Sequence, residues 1–149
     1  MINPQPLIVS RTYKTTAAIL WRALTDPNEM KKWYFDLPGF KAEPGYQFSF
    51  KGGRDENNLY LHLCEVTEVV EQQKLTYSWR YDGYEGISHV SFELEEHKTG
   101  NTVTGTTVTI THTGLETFPA SNPDLARENF AAGWSGFINK QLQQYIDNL

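Results

Sequence analysis

The sequence predicts an α+β domain: a curved antiparallel β-sheet wrapped around one long C-terminal α-helix, with two short helices after the first strand. Three observations carry this expectation. Between residues 46 and 114, apolar and polar residues alternate in runs broken by short polar turns, the pattern of an antiparallel meander. Toward the C-terminus, Phe130, Trp134, Phe137, Ile138, Leu142 and Tyr145 fall instead on one broad stripe at helical spacing. A helix with so wide an apolar face must be buried, and the curved sheet is the element able to cover it.

Each element follows from its residues. LIVSRTY, 7–13, is short and β-branched and reads as the first strand. TTAAILWRALTDP, 15–27, reads as a helix capped by Thr15 or Thr16, with Ile19, Leu20, Ala23 and Leu24 on one face. Pro27 forbids its simple continuation, because the residue before a proline is pushed out of the α region. A second short helix over 28–32, capped by Asn28, leads into Trp33, Tyr34 and Phe35. YQFSFKG, 46–52, alternates Tyr46, Phe48 and Phe50 against polar neighbours, and GGRDENN, 52–58, is a turn. LYLHLCEVTEVV, 59–70, is a long, mostly apolar strand, and EQQ, 71–73, turns the chain. KLTYSWRY, 74–81, puts Leu75, Tyr77, Trp79 and Tyr81 on one face, and DGYEG, 82–86, is the next turn. SHVSFELEE, 88–96, sets Val90, Phe92 and Leu94 against polar residues, and the threonine-rich 102–114 is strongly β-forming. The last helix is expected to open with Asn122 as N-cap and Pro123 at its first position, and to run about 26 residues to the end.

The 149 residues suit one domain, 1–149, large enough to bury a core without disulfides or a structural metal. Cys64 is the single cysteine, so no intrachain disulfide is possible. The four histidines have no helical i, i+4 spacing and no cysteine companions, so no metal site stands out. No phosphate-cradling glycine loop, dinucleotide fingerprint or nucleophile elbow is present, and no cofactor is expected. A net charge of -5 and the absence of a basic stripe argue against nucleic acid. The same charge makes an anionic membrane a poor stable partner. MINPQPLIVSR lacks a signal-peptide pattern and no apolar run reaches the ~18 residues of a membrane span, so a cytoplasmic location is the default. The 13% of Phe, Trp and Tyr points either to a large aromatic core or to a ring-lined pocket.

Five stretches carry a family resemblance: LWRALTDPNEMKKWYFD (20–36), CEVTEVVEQQKLTYSW (64–79), VSFELEE (90–96), TVTITHTG (107–114) and GWSGFINKQLQQYI (133–146). In this order and spacing they resemble the START-like (Bet v 1-like) helix-grip superfamily, also called SRPBCC. Within it, the chain is similar to the group named for the C-terminal domain of the activator of Hsp90 ATPase. The resemblance implies a hydrophobic cavity between sheet and helix, in a superfamily whose members bind or act on lipids, sterols, polyketides and plant hormones. It also implies, through the Hsp90 activators, a link to stress response. Those activators carry an additional N-terminal domain that engages the chaperone, and this chain is expected to have no room for one.

On that expectation Phe48, Phe50, Tyr77, Trp79, Phe92, Val108 and Ile110 face the concave side of the sheet, either as core or as cavity wall. Phe130, Trp134, Phe137 and Ile138 face them from the helix. Gly133 lies at the edge of that stripe, where it leaves room for a ligand or for close approach of a strand or loop. Gly136 lies nearly opposite Trp134 and suits a loop packed on the helix, or no role at all. His112 alternates with Val108 and Ile110 and points inward, either as a satisfied core histidine or as a polar anchor, acid or base. Glu68, if its strand face is inward, is a partly buried carboxylate, and Tyr60 and His62 share its parity. Arg127 lies on the inward stripe, pairing with a carboxylate or snorkelling to the surface.

Three readings follow. The first is a binding protein for a small hydrophobic or amphipathic ligand, lined by Trp79, Phe92, Trp134 and Phe137. The second is a cyclase-, aromatase- or hydrolase-type enzyme, whose only acid–base nominees are His112, Tyr77 and Glu68. The third is a chaperone-cofactor module, for which the sequence itself gives no support. A homodimer is left open.

Overall fold

The computed structural model describes residues 5–53 and 56–149. Arg54 and Asp55 of the expected 52–58 turn, and residues 1–4, lie outside the described residues. Six strands form one antiparallel sheet: β1 (Leu7–Tyr13), β2 (Gln47–Gly53), β3 (Leu59–Val70), β4 (Lys74–Tyr81), β5 (Ser88–Thr99) and β6 (Thr102–Thr113). Their order across the sheet is β1-β6-β5-β4-β3-β2, so the chain meanders from β2 to β6 and β1 closes the far edge beside β6. The open sheet curves around the C-terminal helix, which is the helix-grip fold.

Between β1 and β2 lie α1 (Ala17–Thr25) and α2 (Pro27–Met30). Thr16 caps α1, its hydroxyl accepting from the Ile19 N–H at 3.3 Å. The second cap differs from the expected Asn28. Asp26 takes the position, its carboxylate accepting from the Asn28 N–H at 2.9 Å, and Pro27 becomes the first helical residue. A proline at that position loses nothing, because the N–H it lacks would have had no partner within the helix.

The C-terminal helix also departs from expectation. Asn122 does accept from the Asp124 N–H, but it caps only a single 3₁₀ turn, Pro123–Leu125. The turn buries Leu125, and Ala126 then returns to extended backbone at ψ 151°. The long helix starts at Arg127, whose guanidinium donates to the carbonyls of Gln5 (2.6 Å) and Pro6 (3.1 Å). This ties the helix start to the chain entering β1, with the guanidinium at the surface on backbone carbonyls and not on a carboxylate. The helix runs as α3 (Arg127–Gly136), a π-helical turn (Phe137–Gln141) and α4 (Leu142–Asp147). At the π turn the buried Tyr13 hydroxyl of β1 donates to the Ile138 carbonyl.

A register shift between Val66 and Glu68 breaks the alternation of β3. Cys64 and Val66 are buried before it, whereas Glu68 lies half exposed and pairs with Lys74 at 3.2 Å. The inward reading of Glu68 is therefore corrected. A bulge adds one residue to a strand and reverses the facing of everything beyond it.

Candidate ligand cleft

A cleft of about 520 Å³ opens between the β2–β3 end of the sheet and the flank of the C-terminal helix. Trp79 and Tyr81 of β4 form its floor, Phe130, Trp134 and Phe137 its helix wall, and Phe35 one end. Gly52 and Gly53 of β2, with Tyr60 and His62 of β3, form the opposite wall. The rings pack on one another: Trp79 lies 5.6 Å from Trp134 and Phe35 lies 5.4 Å from Phe137, centroid to centroid.

Gly133 and Gly136 both line the cleft. A Cβ at either position would meet no atom within 4 Å. No loop therefore packs on Gly136, which corrects that alternative. Gly52 is a different case, because a Cβ there would sit 2.9 Å from Phe35 and 3.3 Å from the His62 ring. Here the glycine lets two ring side chains close over the strand.

Two histidines sit at or beside the cleft, and both are neutral for traceable reasons. His112 is fully buried. The Trp134 indole N–H donates to its Nδ1 at 3.0 Å, so the proton must lie on Nε2, which donates to Ser88 Oγ at 2.7 Å. Ser88 passes its own proton to the Trp79 carbonyl at 3.0 Å. Burial, with a smaller push from His89, holds the imidazole pKa at about 3. His62 is 5% exposed, and its Nδ1 lies 2.9 Å from the Tyr60 carbonyl. A carbonyl can only accept, so Nδ1 carries the proton. Burial lowers the His62 pKa to about 4 against the opposing pull of the Tyr60 and Phe50 carbonyls. At the rim, Tyr60 donates to Asp124 at 2.7 Å and accepts from Asn122 at 3.3 Å, joining the sheet to the 3₁₀ turn before the long helix.

The sequence matches the family described as Activator of Hsp90 ATPase homolog 1-like protein over residues 14–147. The chain belongs to this family. No curated protein matches it. Among solved structures it is similar to protein MLL2253 from Mesorhizobium loti, at 25% identity and a TM-score of 0.75, over 97% of this chain and 98% of that one. It is also similar to PFC0360w, an HSP90 activator from Plasmodium falciparum, at 19% identity and a TM-score of 0.70, over 95% and 96% of the two chains. DynU16, a putative protein in the dynemicin biosynthetic locus, aligns at 20% identity and a TM-score of 0.72, over 95% of this chain but 47% of that one. The solved structures show the shared fold, and the family supports a ligand-binding or cofactor module in general terms.

Of the residues named from sequence, Trp79, Phe130, Gly133, Trp134 and Phe137 line the cleft of this family member. Phe50, Tyr77, Phe92, Val108, Ile110, His112 and Ile138 are buried in the core instead, and Phe48 packs against that core. The physical reason is Tyr34. Its ring sits 6.4 Å from Phe92 and 6.2 Å from Trp134, and its hydroxyl meets that of Tyr77 at 2.7 Å. It thus fills the centre of the grip and displaces the open space to the helix flank. The acid–base nominees have no place at the cleft: His112 and Tyr77 are hydrogen-bonded in the core, and Glu68 faces outward.

Sequence reasoning missed Phe35, Gly52, Asp124, Asn129 and Gln141 as lining residues, and it named Tyr60 and His62 only by strand parity. The adjacent glycines 52 and 53 were the available signal, since glycine in a strand marks close approach. Among the described residues no His, Cys, Asp and Glu side chains gather as a metal would require, and no helix is long and apolar enough to cross a membrane.

Proposed function

We propose that this protein binds a small hydrophobic or amphipathic molecule, lipid- or polyketide-like in character, in the cleft between the sheet and the C-terminal helix. One observation carries the reading: a ring-walled opening of about 520 Å³ where the helix presents Gly133 and Gly136 toward space that no protein atom fills. Each glycine costs a helix interior roughly 1 kcal/mol relative to alanine, and here no packing contact offsets that cost. The volume lies within the range of small-molecule sites, and walls that are mostly apolar with a few polar groups are their usual composition.

Native mass spectrometry of the protein purified from its own host tests the reading. The expected result is an adduct that disappears on denaturation and extracts into organic solvent. A second reading, a chaperone cofactor, is favoured by the family's own description and by the HSP90 activator among the similar structures. An adduct-free protein that stimulates a purified Hsp90 ATPase would overturn the first reading in favour of the second.

A further inference from the structure

The cleft contains one polar feature that packing does not explain. His62 is 95% buried, stacks on Phe50 at 4.3 Å and 13°, and meets the Trp79 and Tyr81 rings edge-on at 4.8 and 4.7 Å. Its Nδ1–H is committed to the Tyr60 carbonyl, and the Phe50 carbonyl, the other backbone oxygen beside the ring, also accepts and donates nothing. Its Nε2 therefore bears a lone pair, and no described residue donates to it. Every fully buried side-chain nitrogen or oxygen among the described residues has a partner, so Nε2 must be reachable from outside, and the open space that His62 lines is the cleft. Beside it, the Tyr81 hydroxyl accepts the Trp79 indole N–H at 2.8 Å. Its own proton has no acceptor among the described residues. The cleft wall and floor thus offer one acceptor and one donor on neighbouring rings within an aromatic shell.

Resting on the reading of the cleft as a ligand site, we propose that His62 Nε2 and the Tyr81 O–H together anchor an uncharged hydroxyl group on an aromatic or polycyclic ligand. A hydroxyl both gives and receives a hydrogen bond, so one group satisfies both partners. A carboxylate or phosphate oxygen can only accept and would face the Nε2 lone pair. An ammonium can only donate and would leave the Tyr81 proton unmatched. The imidazole stays neutral at physiological pH because protonation in this buried setting is disfavoured, so it remains an acceptor rather than a cation. The surrounding rings of Trp79, Trp134, Phe35 and Phe137 hold the flat body of the ligand.

The test uses 1-naphthol and 1-methoxynaphthalene, which differ in the hydroxyl proton, and 1-naphthoate as the anionic probe. Binding is read by quenching of the intrinsic tryptophan fluorescence, since Trp79 and Trp134 both line the cleft. Wild-type protein is expected to bind 1-naphthol about tenfold or more tighter than the methyl ether, the loss expected when a buried acceptor is left without a donor. The naphthoate should bind weakest. In His62→Phe, which keeps the stacked ring and loses the acceptor, the preference should collapse to about twofold with methyl-ether affinity retained. His62→Gln, which keeps an acceptor oxygen, should restore part of it. Nitrogen NMR of wild-type protein supplies a readout independent of any variant: the Nε2 resonance of His62 should shift on titration with 1-naphthol and not with the ether.

Equal binding of naphthol and ether by wild type, or an unmoved Nε2 resonance under saturating naphthol, overturns the anchor. Gly133→Leu separates that failure from failure of the cleft itself. If both probes bind equally and Gly133→Leu abolishes both, the cleft is a ligand site without this anchor. If neither probe binds, or Gly133→Leu changes nothing, the cleft reading falls and the anchor with it.

Discussion

Trp134 and His112 are joined by a 3.0 Å hydrogen bond from the indole N–H to Nδ1, so one wall of the cleft is oriented by a histidine that does not itself line it. The bond works only while His112 is neutral, because a protonated Nδ1 would turn a donor against a donor. The folded pKa of about 3 lies below the ordinary value of 6.5, as does the value of about 4 at His62. The unfolded chain therefore binds more protons between those limits. Stability is fully present above pH 6.5 and falls as pH drops, by roughly 1.4 kcal/mol per unit for each histidine. Urea unfolding should show a loss of about 3 kcal/mol between pH 7.5 and 5.5, from the two histidines together. His112→Gln should be less stable at pH 7.5 yet lose only about half as much over that range. Equal losses in the two proteins would contradict this assignment.

Gly133→Ala and Gly136→Ala should each raise stability, by about 0.5–1 kcal/mol, because alanine is the better helix former and its Cβ meets nothing within 4 Å. Thermal unfolding measures this directly. Gly133→Leu should keep the fold while projecting its side chain into the cleft. A fold that tolerates the larger residue together with a lost ligand distinguishes space held for a molecule from space needed for packing.

The fold was legible because most strands carry a period-2 signal and each turn its own polar residues. The buried face Leu75, Tyr77, Trp79 and Tyr81 follows from alternation alone. The cleft was less legible, since its position depends on relations that no local pattern encodes. Ser88 and Trp134 stand 24 and 22 residues from the histidine they both bond. The bulge that turns Glu68 outward leaves no signature in a run where Val69 and Val70 obscure the alternation. Tyr34, from the loop after α2, occupies the centre of the grip, so Tyr77, Phe92, Val108 and Ile110 of the concave sheet face became core and the open space moved to the helix flank. His112 could be read as inward from sequence, but its satisfaction on both nitrogens could not.

Tyr13→Phe should lower stability by about 1–3 kcal/mol, the cost of leaving the Ile138 carbonyl without its hydroxyl partner. The residue is 1% exposed, so water cannot readily replace the lost donor. Urea denaturation with an unchanged m-value is the check, and amide exchange should accelerate locally over the π turn, Phe137–Gln141. Uniform acceleration across the sheet would instead mean that the bond supports the whole fold rather than this turn.

Gly52→Ala tests whether the cleft wall is set by close approach. The added Cβ would stand 2.9 Å from the Phe35 ring and 3.3 Å from that of His62. The backbone of β2 is held by its pairing with Tyr60 on β3, so the side chains have to yield. Phe35 is half-buried and has the cleft beside it, whereas His62 is pinned between Phe50 and the Tyr60 carbonyl. Phe35 should therefore swing toward the open space and narrow it. The expected outcome is a stability loss of about 1–2 kcal/mol, typical of mild overpacking, with a larger proportional drop in affinity for a cleft-bound probe. Stability that falls while probe affinity holds would mean that neither ring moves into the cleft, and Phe35 would then be a fixed wall rather than an adjustable one.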